Sequence, residues 1–397
     1  MSFCEASEDG LKGDSLLVIV PSYPNQDRSY WGGSFVWNQI AELKDSFKKV
    51  IVIAPVLRSF GCMRKDKLCK DYAYDNVEVY YPRAAYVPLF WTNRLLVDNR
   101  LDVVNRTIER YHLDFDLIHA HFTWPSGYIG VKLKERYNTP LVTTIHEDGE
   151  WLSREIALNH PLINAAWSGA DLLIRVNRKD AAALRQFNDR VCSIPNGYSP
   201  NFYPIDTLVA RRKLGLAEDT PIVFSLGYLI KRKGFNFLID AMERISGSRD
   251  DVLCYIGGDG TERKNLQNQI DRLDLGERVT LLGTVSEEDL PLWMNAANLF
   301  VLPSLNEGNP TVMFEVLGCG KPFVGTKVGG VPEVISSDEY GMLVEPADAA
   351  ELAEKILLSL DREWDRDSIR RYSIRYTWKS IADEIIKAYR QVHGESG

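Results

Sequence analysis

Residues 299–316 read LFVLPSLNEGNPTVMFEV, an apolar run followed by a polar loop and then by the start of a helix. The apolar run at 299–302 has the length and composition of a strand that is buried on both faces. Asn309 is suited to cap the N-terminus of the following helix, with Pro310 as its first residue. A strand followed by a loop and a helix is typical of parallel α/β structure.

The same alternation of apolar runs and amphipathic helical segments extends along the chain. Candidate strands lie at 16–21, 50–55, 77–81, 117–122, 141–146, 172–176, 222–226, 252–256, 279–282, 299–302, 323–325 and 341–344. Two such series in succession predict an α/β protein with two doubly wound domains. The turn-rich stretch IPNGYSP at 194–200 suits the boundary between them. The expected domain bounds are 1–197 and 198–376, with a last helical segment at 377–397.

Composition excludes several classes of protein. The chain has 397 residues, of which 45% are hydrophobic and 26% charged, so it is neither disordered nor fibrous. The net charge of −8 argues against a general nucleic-acid binder, because such proteins carry a basic balance. Residues 1–200 hold 24 basic and 24 acidic residues, so the whole −8 belongs to the second half. The two halves are therefore expected to present different surfaces.

The spacing of the cysteines and the composition of residues 1–12 bear on the cellular compartment of the protein. The six cysteines show no C-x-x-C spacing, which predicts reduced thiols. Residues 1–12 are polar and lack the apolar segment of a signal peptide, and no apolar run approaches about 18 residues. We expect a cytoplasmic protein, with contact at the cytoplasmic face of a membrane left open.

Chemistry-bearing residues follow several candidate strands, where open parallel sheets bind their ligands. Lys231, Arg232 and Lys233 form a cationic run that would neutralise a diphosphate, and Gly234 would let the backbone approach it. A solvated basic loop is an equally good explanation of this run when it is taken alone. The glycine-rich run at 257–260 lacks the third glycine of a dinucleotide loop and is weak evidence by itself.

Two glutamates flank the start of the helix that follows residues 299–302. Glu307 lies in the loop and Glu315 about two turns into the helix. A carboxylate accepts hydrogen bonds from sugar hydroxyls, and the N-terminus of a helix favours an anion such as phosphate. Either glutamate alone is explained about as well by a solvated position. Together with Gly308 and an apolar helix, the pair favours a site for a sugar and its phosphate.

These motifs occur in a characteristic order. They are Gly227, Lys233-Gly234, GGDG at 257–260, Glu307, Glu315, CGKP at 319–322 and VGGVPE at 328–333. The order resembles that of the retaining GT-B glycosyltransferases of family 4, as do Asn196-Gly197 and the sequence YTW at 376–378. The resemblance covers essentially the whole chain. It implies two Rossmann-like domains that face each other across a cleft, a nucleotide sugar held by the second domain, and no metal or other cofactor. It also implies a final helix that returns to the first domain.

The resemblance implies roles for the matching residues. Glu315 would bind the ribose, Glu307 the transferred sugar and Lys233 the diphosphate. His146 would lie near the reacting carbon and the acceptor, so His146, Glu307 and Lys233 are the catalytic candidates. The full donor-binding set is Gly33, Gly227, Lys231, Arg232, Lys233, Gly258, Glu307, Gly308, Asn309, Pro310, Thr311 and Glu315.

Two positions depart from the family pattern. Tyr228 stands where many relatives carry an arginine that binds the diphosphate, so either Lys231 or Arg232 substitutes or the phosphate is held with less charge. Asn309 replaces a common phenylalanine, which is expected to affect the sugar that is accepted.

The function implied is transfer of a hexose, with retention and without metal, from a nucleoside-diphosphate sugar. A UDP-sugar is favoured and GDP-mannose comes next. The simplest mechanism is attack from the same face, and a covalent intermediate on Glu307 is the less favoured route. A sugar-nucleotide epimerase of the same architecture and a non-catalytic subunit that binds a sugar nucleotide are the alternatives.

The hypothesis of a metal-dependent reaction would rest on the D-x-D sequence of Asp114 and Asp116. This sequence precedes a strand, whereas parallel sheets bind their ligands at the carboxyl ends of the strands. His119 and His121 share one face of a strand, but no third zinc ligand is indicated. We expect His119 to be packed and His121 to line the cleft.

The acceptor is predicted to be a glycan, a lipid-linked sugar or a small molecule. Residues 58–94 interleave basic and aromatic side chains, which suits either a membrane interface or an ordinary loop between domains. The candidate residues on the acceptor side are His121, Trp124, Glu147, Arg83 and Trp91.

Overall fold

The computed structural model describes residues 11–30, 32–58, 69–85 and 94–393. Within them the strands are β1 Ser15–Ile19, β2 Lys49–Ile53, β3 Val56–Arg58, β4 Tyr72–Tyr74, β5 Val77–Tyr80, β6 Arg83–Ala85, β7 Leu117–His121, β8 Leu141–Ile145, β9 Leu172–Arg175, β10 Val191–Ser193, β11 Ile222–Leu226, β12 Leu253–Gly257, β13 Val279–Gly283, β14 Leu299–Leu302, β15 Phe323–Thr326 and β16 Gly341–Val344. The helices are α1 Ser34–Leu43, α2 Arg94–Tyr111, α3 Tyr128–Tyr137, α4 Gly149–Leu158, α5 Pro161–Ser168, α6 Arg178–Leu184, α7 Thr207–Leu214, α8 Phe235–Ser246, α9 Arg263–Arg272, α10 Leu290–Ala296, α11 Thr311–Gly318, α12 Val331–Val334, α13 Ala349–Asp361, α14 Arg366–Ser373 and α15 Trp378–His393.

The chain divides into two compact units. One consists of residues 1–195 with 378–397, and the other of residues 196–377. The division falls between Pro195 and Asn196 rather than after Gly197. Across the described ranges, no helix combines the length and the apolar composition that crossing a bilayer requires.

The first unit is built on a sheet with the strand order β10-β9-β8-β7-β1-β2-β5-β4. All neighbours are parallel except β4 and β5. The central strands are apolar on both faces because helices cover both, and two separate apolar clusters lie on the two sides of the sheet. The strand order reverses at β1, which lies between β2 and β7.

Helix α15 belongs to the first unit and packs beside α1. Its buried residues recur every three or four positions, from Trp378 through Ile381 and Ile385 to Tyr389, as an amphipathic helix requires. They join the apolar cluster that contains Leu16 and Val50 of the sheet. The last helix therefore completes the core of the first unit.

The second unit is built on a sheet with the strand order β13-β12-β11-β14-β15-β16, in which all neighbours are parallel. The chain runs outward from β11 through β12 to β13, then crosses back to β14 beside β11. The prediction of two doubly wound α/β units is confirmed.

Local details differ from the sequence-based predictions. The short strands β3, β4, β6 and β10 were not predicted, because three residues are too few to show a pattern. The prediction that Asn309 caps α11 is wrong, since the helix begins at Thr311, Pro310 takes the N-cap position and no side chain caps it. Much of the basic and aromatic segment at 58–94, including Trp91, lies outside the described residues.

Candidate functional site

The strand order of the second sheet reverses between β11 and β14, which makes this place the topological switch point of the sheet. The loops that follow these two strands carry most of the predicted donor-binding residues. In an open parallel sheet such a switch point opens a crevice at the carboxyl ends of the strands. The backbone N–H of Leu305 donates to the carbonyl of Arg232 at 2.8 Å, so the two loops are hydrogen-bonded to each other. The topology therefore brings residues 227–234 and 303–310 together.

Glu307 is the centre of this arrangement. Its side chain is 6% exposed, and its Oε1 accepts hydrogen bonds from Lys233 Nζ and from Ser304 Oγ, each at 2.6 Å. Arg232 Nη1 lies 3.3 Å from Oε2. The sequence predicted Glu307 and Lys233 but missed Ser304, whose hydroxyl gives no signal in a polar loop.

Burial acts to raise the pKa of Glu307. The charges of Lys233 and Arg232, with the hydrogen bonds from Lys233 and Ser304, outweigh that effect, so the pKa lies below its usual value. Glu307 is therefore a carboxylate at neutral pH. It binds Lys233 and Arg232 at the switch point, where an anionic ligand in the same crevice would contact these two cations.

The cationic run 231–233 forms a 3₁₀ turn in which the three side chains differ in their surroundings. Lys231 is exposed, whereas the side chain of Lys233 is only 12% exposed and that of Arg232 34%. Arg232 Nη1 also donates to the carbonyl of Asn306 at 2.8 Å. Tyr228, in the arginine position of the family, is 73% exposed. Lys231 and Arg232 are the two candidates to replace the arginine that is missing at position 228. Of these two, Arg232 is the one that contacts Glu307.

Gly258 and Gly234 are required by close approaches of the backbone. A Cβ at Gly258, whose φ is +125°, would lie 1.9 Å from the carbonyl oxygen of Gly227. A Cβ at Gly234, whose φ is +64°, would lie 2.1 Å from the carbonyl oxygen of Pro303. A Cβ at Gly227 would meet the aliphatic part of Lys233 at 3.5 Å. The glycines thus let three loops pack together around Lys233.

The start of α11 is fixed by the residues before it. Gly308, Asn309 and Pro310 are buried, and Thr311 is half-buried. Asn309 does not cap the helix because its Oδ1 accepts from the backbone N–H of Asn196 at 3.3 Å, and its carbonyl accepts from Asn196 Nδ2 at 2.8 Å. The first N–H groups of a helix have no partner within the helix and favour an anion, although that of Met313 donates to the carbonyl of Pro310 at 3.2 Å.

Glu315 is half-buried on α11. Burial, together with the negative charge of Glu287, raises its pKa to about 8. A carboxyl group in this state donates as well as accepts, which suits recognition of paired hydroxyls.

In the first unit, three histidines form a row along β7 and the carboxyl end of β8. His121 Nδ1 lies 2.9 Å from His146 Nε2, and His119 lies 2.7 Å from Thr144 Oγ1 through Nε2 and 2.6 Å from Tyr389 Oη through Nδ1. Burial lowers the pKa of all three histidines, to about 3 for His119. The row is therefore neutral at physiological pH.

The three histidines differ in solvent exposure. His119 and His121 are buried, and His146 is half-buried. His119 is packed as predicted. His121, expected to line the cleft, has a fully buried ring within the first unit, and of the three histidines only His146 is partly exposed. Phe35 of α1 lies against His146, with ring centroids 4.7 Å apart.

The other acceptor-side candidates lie in different surroundings. Trp124 and Glu147 are buried, at 7% and 9% exposure, and Glu147 accepts from the backbone N–H of Thr123, the residue before Trp124, at 2.7 Å. Arg83 is half-buried, donates to the carbonyls of Tyr81 and Cys69, and lines a cavity of about 730 Å³ whose lining includes neither Trp124 nor Glu147. Trp91 lies outside the described residues.

Gly33 immediately precedes α1 and has a φ of +82°. A Cβ there would lie 2.2 Å from the carbonyl oxygen of Ser22, so only glycine fits. The backbone at this turn is available to a ligand without an intervening side chain.

Asp116 of the D-x-D sequence has a local structural role. Asp116 Oδ2 accepts from the backbone N–H of Ser15 at 2.8 Å, which ties the start of β7 to that of β1. Among the described residues, no group of three or more histidine, cysteine or acidic side chains is arranged to hold a metal ion.

Comparisons with known proteins cover nearly the whole chain. A family model described as Glycosyltransferase Family 4 matches residues 32–202, and one described as Glycosyl transferases group 1 matches residues 206–376. The chain is 28% identical over 388 residues to a putative teichuronic acid biosynthesis glycosyltransferase, TuaC, of Bacillus subtilis, covering 93% of this chain and 92% of that protein.

Two solved structures share the fold. Sucrose-phosphate synthase from Thermosynechococcus elongatus has a TM-score of 0.76 at 23% identity, covering 96% of this chain and 100% of that one. Anabaena HepE, solved in complex with UDP, has a TM-score of 0.71 at 22% identity, covering 95% of this chain and 100% of that one.

The two doubly wound units have the fold of GT-B proteins. The chain belongs to the group 1 glycosyltransferases of family 4 and is a glycosyltransferase.

Proposed function

We propose that this glycosyltransferase moves a hexose from a nucleoside-diphosphate sugar to a glycan, lipid-linked or small-molecule acceptor, with retention of configuration. The observation that carries the proposal is the contact of Lys233 and Arg232 with Glu307 at the switch point of the second unit. A UDP-sugar is the favoured donor and GDP-mannose the next. The UDP complex of Anabaena HepE supports that preference.

Each group of the site has a proposed task. Lys233, assisted by Arg232 and the N-terminus of α11, stabilises the negative charge that develops on the departing nucleoside diphosphate. Glu307 binds hydroxyls of the transferred sugar, and Glu315 binds those of the ribose. These cations and dipoles would do the work that a divalent metal does elsewhere, so we propose a metal-independent reaction without a cofactor.

The proposed chemistry is attack from the same face. The bond from the sugar to the diphosphate breaks as the acceptor hydroxyl approaches the same side, and a phosphate oxygen of the donor takes the acceptor's proton. His146 stands on the acceptor side. Because burial keeps its ring neutral, His146 places no positive charge near the oxocarbenium-like centre.

The experiment is to incubate the protein with a panel of nucleotide sugars and to measure release of nucleoside diphosphate, with and without candidate acceptors. We expect release that depends on the acceptor, and a product with the anomeric configuration of the donor. Turnover without an acceptor would indicate an epimerase or hydrolase. Binding without turnover on the whole panel would indicate a non-catalytic subunit. Inversion of configuration would contradict the same-face mechanism.

A further inference from the structure

His121 has no task in the proposed reaction, although its ring lies against that of His146. His119 and His121 lie on one face of β7, and His121 is paired with Thr144 of β8. His146 is two residues beyond Thr144, so the alternation of side chains along a strand places it on the same face. The rings of His121 and His146 therefore meet at the ends of two adjacent strands.

A hydrogen bond joins the two rings. His121 Nδ1 lies 2.9 Å from His146 Nε2, and the rings are nearly parallel, with an interplanar angle of 16° and centroids 5.2 Å apart. Among the described residues this is the only hydrogen bond of either ring, because the outer nitrogens, His121 Nε2 and His146 Nδ1, are buried without a partner. His121 is therefore the one polar group of the described chain that holds the ring of His146.

The other neighbours of the His146 ring are aromatic. The ring of Phe35 is tilted by 56° to it with centroids 4.7 Å apart, and that of Phe122 by 49° with centroids 5.1 Å apart. Such contacts limit the space around an imidazole but do not distinguish its nitrogens from its carbons. The hydrogen bond to His121 does, so it selects one of the two orientations that a half-turn of the His146 ring exchanges.

The same bond couples the tautomers of the two rings. Burial lowers the pKa of both histidines, so each ring is neutral and carries a single hydrogen on nitrogen. In a bond between two neutral imidazoles one ring donates and the other accepts. The ring that accepts must then carry its own hydrogen on its outer nitrogen. The tautomer of His146 is therefore tied to that of His121.

Packing alone does not explain a histidine at position 121. The residue is fully buried, and one of its ring nitrogens is left without a partner among the described residues. A buried polar atom without a partner costs stability. An apolar side chain would fill the same space without that cost, so the polar contact with His146 is the feature that distinguishes histidine here.

We propose that His121 is a positioning residue for the glycosyl transfer, whose hydrogen bond fixes the orientation and the tautomer of the His146 ring. His121 acts through His146 and does not itself contact the acceptor, in contrast to the expectation from the sequence. The inference rests on the proposed function, in which His146 stands on the acceptor side.

The first test is nuclear magnetic resonance of the protein with isotope-labelled histidine nitrogens. All six histidines lie within the described ranges, and among them only His121 and His146 have ring nitrogens that are hydrogen-bonded to each other. We expect a scalar coupling between nitrogens of two different rings, which passes through this bond. If the wild type shows no such coupling, the bond does not exist and the proposal is overturned, whether or not any variant folds.

The second test is kinetic. His121→Leu is expected to lower kcat for nucleoside diphosphate release by about 10–100-fold, because the ring of His146 is then free to turn. KM for the nucleotide sugar should stay near the wild-type value, since the proposed donor site lies in the second unit. The measurement uses the nucleotide sugar and the acceptor of the panel that give the highest rate. His121→Asn places an amide where Nδ1 lies, and this group can donate or accept, so it should restore most of the wild-type kcat.

Tyr389→Phe is the matched control for a loss of stability. It removes the contact of Tyr389 Oη with His119 Nδ1, at 2.6 Å in the same row of histidines, and leaves His121 and His146 paired. We expect the wild-type kcat in this variant at temperatures below its melting point. A loss of kcat in Tyr389→Phe equal to that in His121→Leu, or full activity of His121→Leu, would overturn the proposal.

His146→Ala separates this inference from the proposed function on which it rests. Loss of turnover in His146→Ala together with normal turnover in His121→Leu would reject the positioning role alone. Normal turnover in His146→Ala would reject the proposed role of His146, and the positioning role with it. Absence of turnover in the wild type on the whole panel would contradict the proposed function itself.

Discussion

At the scale of single residues, the proposed donor site depends on how two lysines of one short turn differ in burial and direction. Lys231 and Lys233 carry the same charge two positions apart, yet only Lys233 turns inward to Glu307. Gly227 lies beside the aliphatic part of Lys233, at van der Waals distance from where a Cβ would stand. The chemistry therefore depends on direction and burial rather than on the total charge of the run.

Lys233→Ala is expected to reduce the rate of nucleoside diphosphate release by about 10²–10³-fold. In other enzymes, a loss of this size follows the removal of one hydrogen-bonding group that stabilises the negative charge of the transition state. The reason is that Lys233 is the buried cation of the site. Kinetics of release over a range of nucleotide-sugar concentrations provide the measurement. Lys231→Ala is the matched control and should retain turnover close to that of the wild type. Normal turnover of Lys233→Ala, or equal losses in both variants, would remove Lys233 from the mechanism.

At the scale of secondary-structure elements, helix α15 is joined to the first sheet by one buried polar contact as well as by its apolar face. Tyr389 Oη lies 2.6 Å from His119 Nδ1, and the other nitrogen of that ring contacts Thr144 on the neighbouring strand. The contact joins residues 270 positions apart. A sequence shows the amphipathic pattern of α15 but not this partner.

Tyr389→Phe is expected to cost about 1–3 kcal/mol of stability, because it leaves a buried ring nitrogen of His119 without a partner while keeping the apolar contacts. The measurement is the free energy of unfolding in urea. Tyr340→Phe, which keeps the stacked ring pair with Tyr372 in the other unit, is the control. A loss no greater than that of the control would show that the helix is held by its apolar face alone.

At the scale of the whole molecule, the sequence predicted the two doubly wound units and a concentration of glycine, cations and carboxylates after the strands of the second. Continuous apolar strands identified both sheets, and the positions of Lys233 and Glu307 after two of those strands predicted that both lie at one edge of the second sheet, where they are in contact. It could not predict how Asn309 is used, because its partner is a backbone group at Asn196 in a distant loop. Nor could it show that Glu155 of α4 is buried, at 2% exposure, since in the sequence it looks like any solvated glutamate of an amphipathic helix.

The charge of the whole molecule is likewise a poor guide to its ligand. The second half carries the entire net charge of −8, yet it holds the proposed site for an anionic donor. Local geometry resolves this, since Lys233 and Arg232 and the start of α11 converge at one switch point. Binding of a nucleotide sugar there is the central claim.

The most direct test of that claim is the melting temperature of the protein titrated with UDP-sugars and GDP-sugars. A ligand that binds only the folded state stabilises it by about 2.7 kcal/mol at one hundred times its dissociation constant. We predict that at least one nucleotide sugar raises the melting temperature of the wild type and of Lys231→Ala but not that of Lys233→Ala. No shift with any nucleotide sugar, or an undiminished shift in Lys233→Ala, would contradict the account.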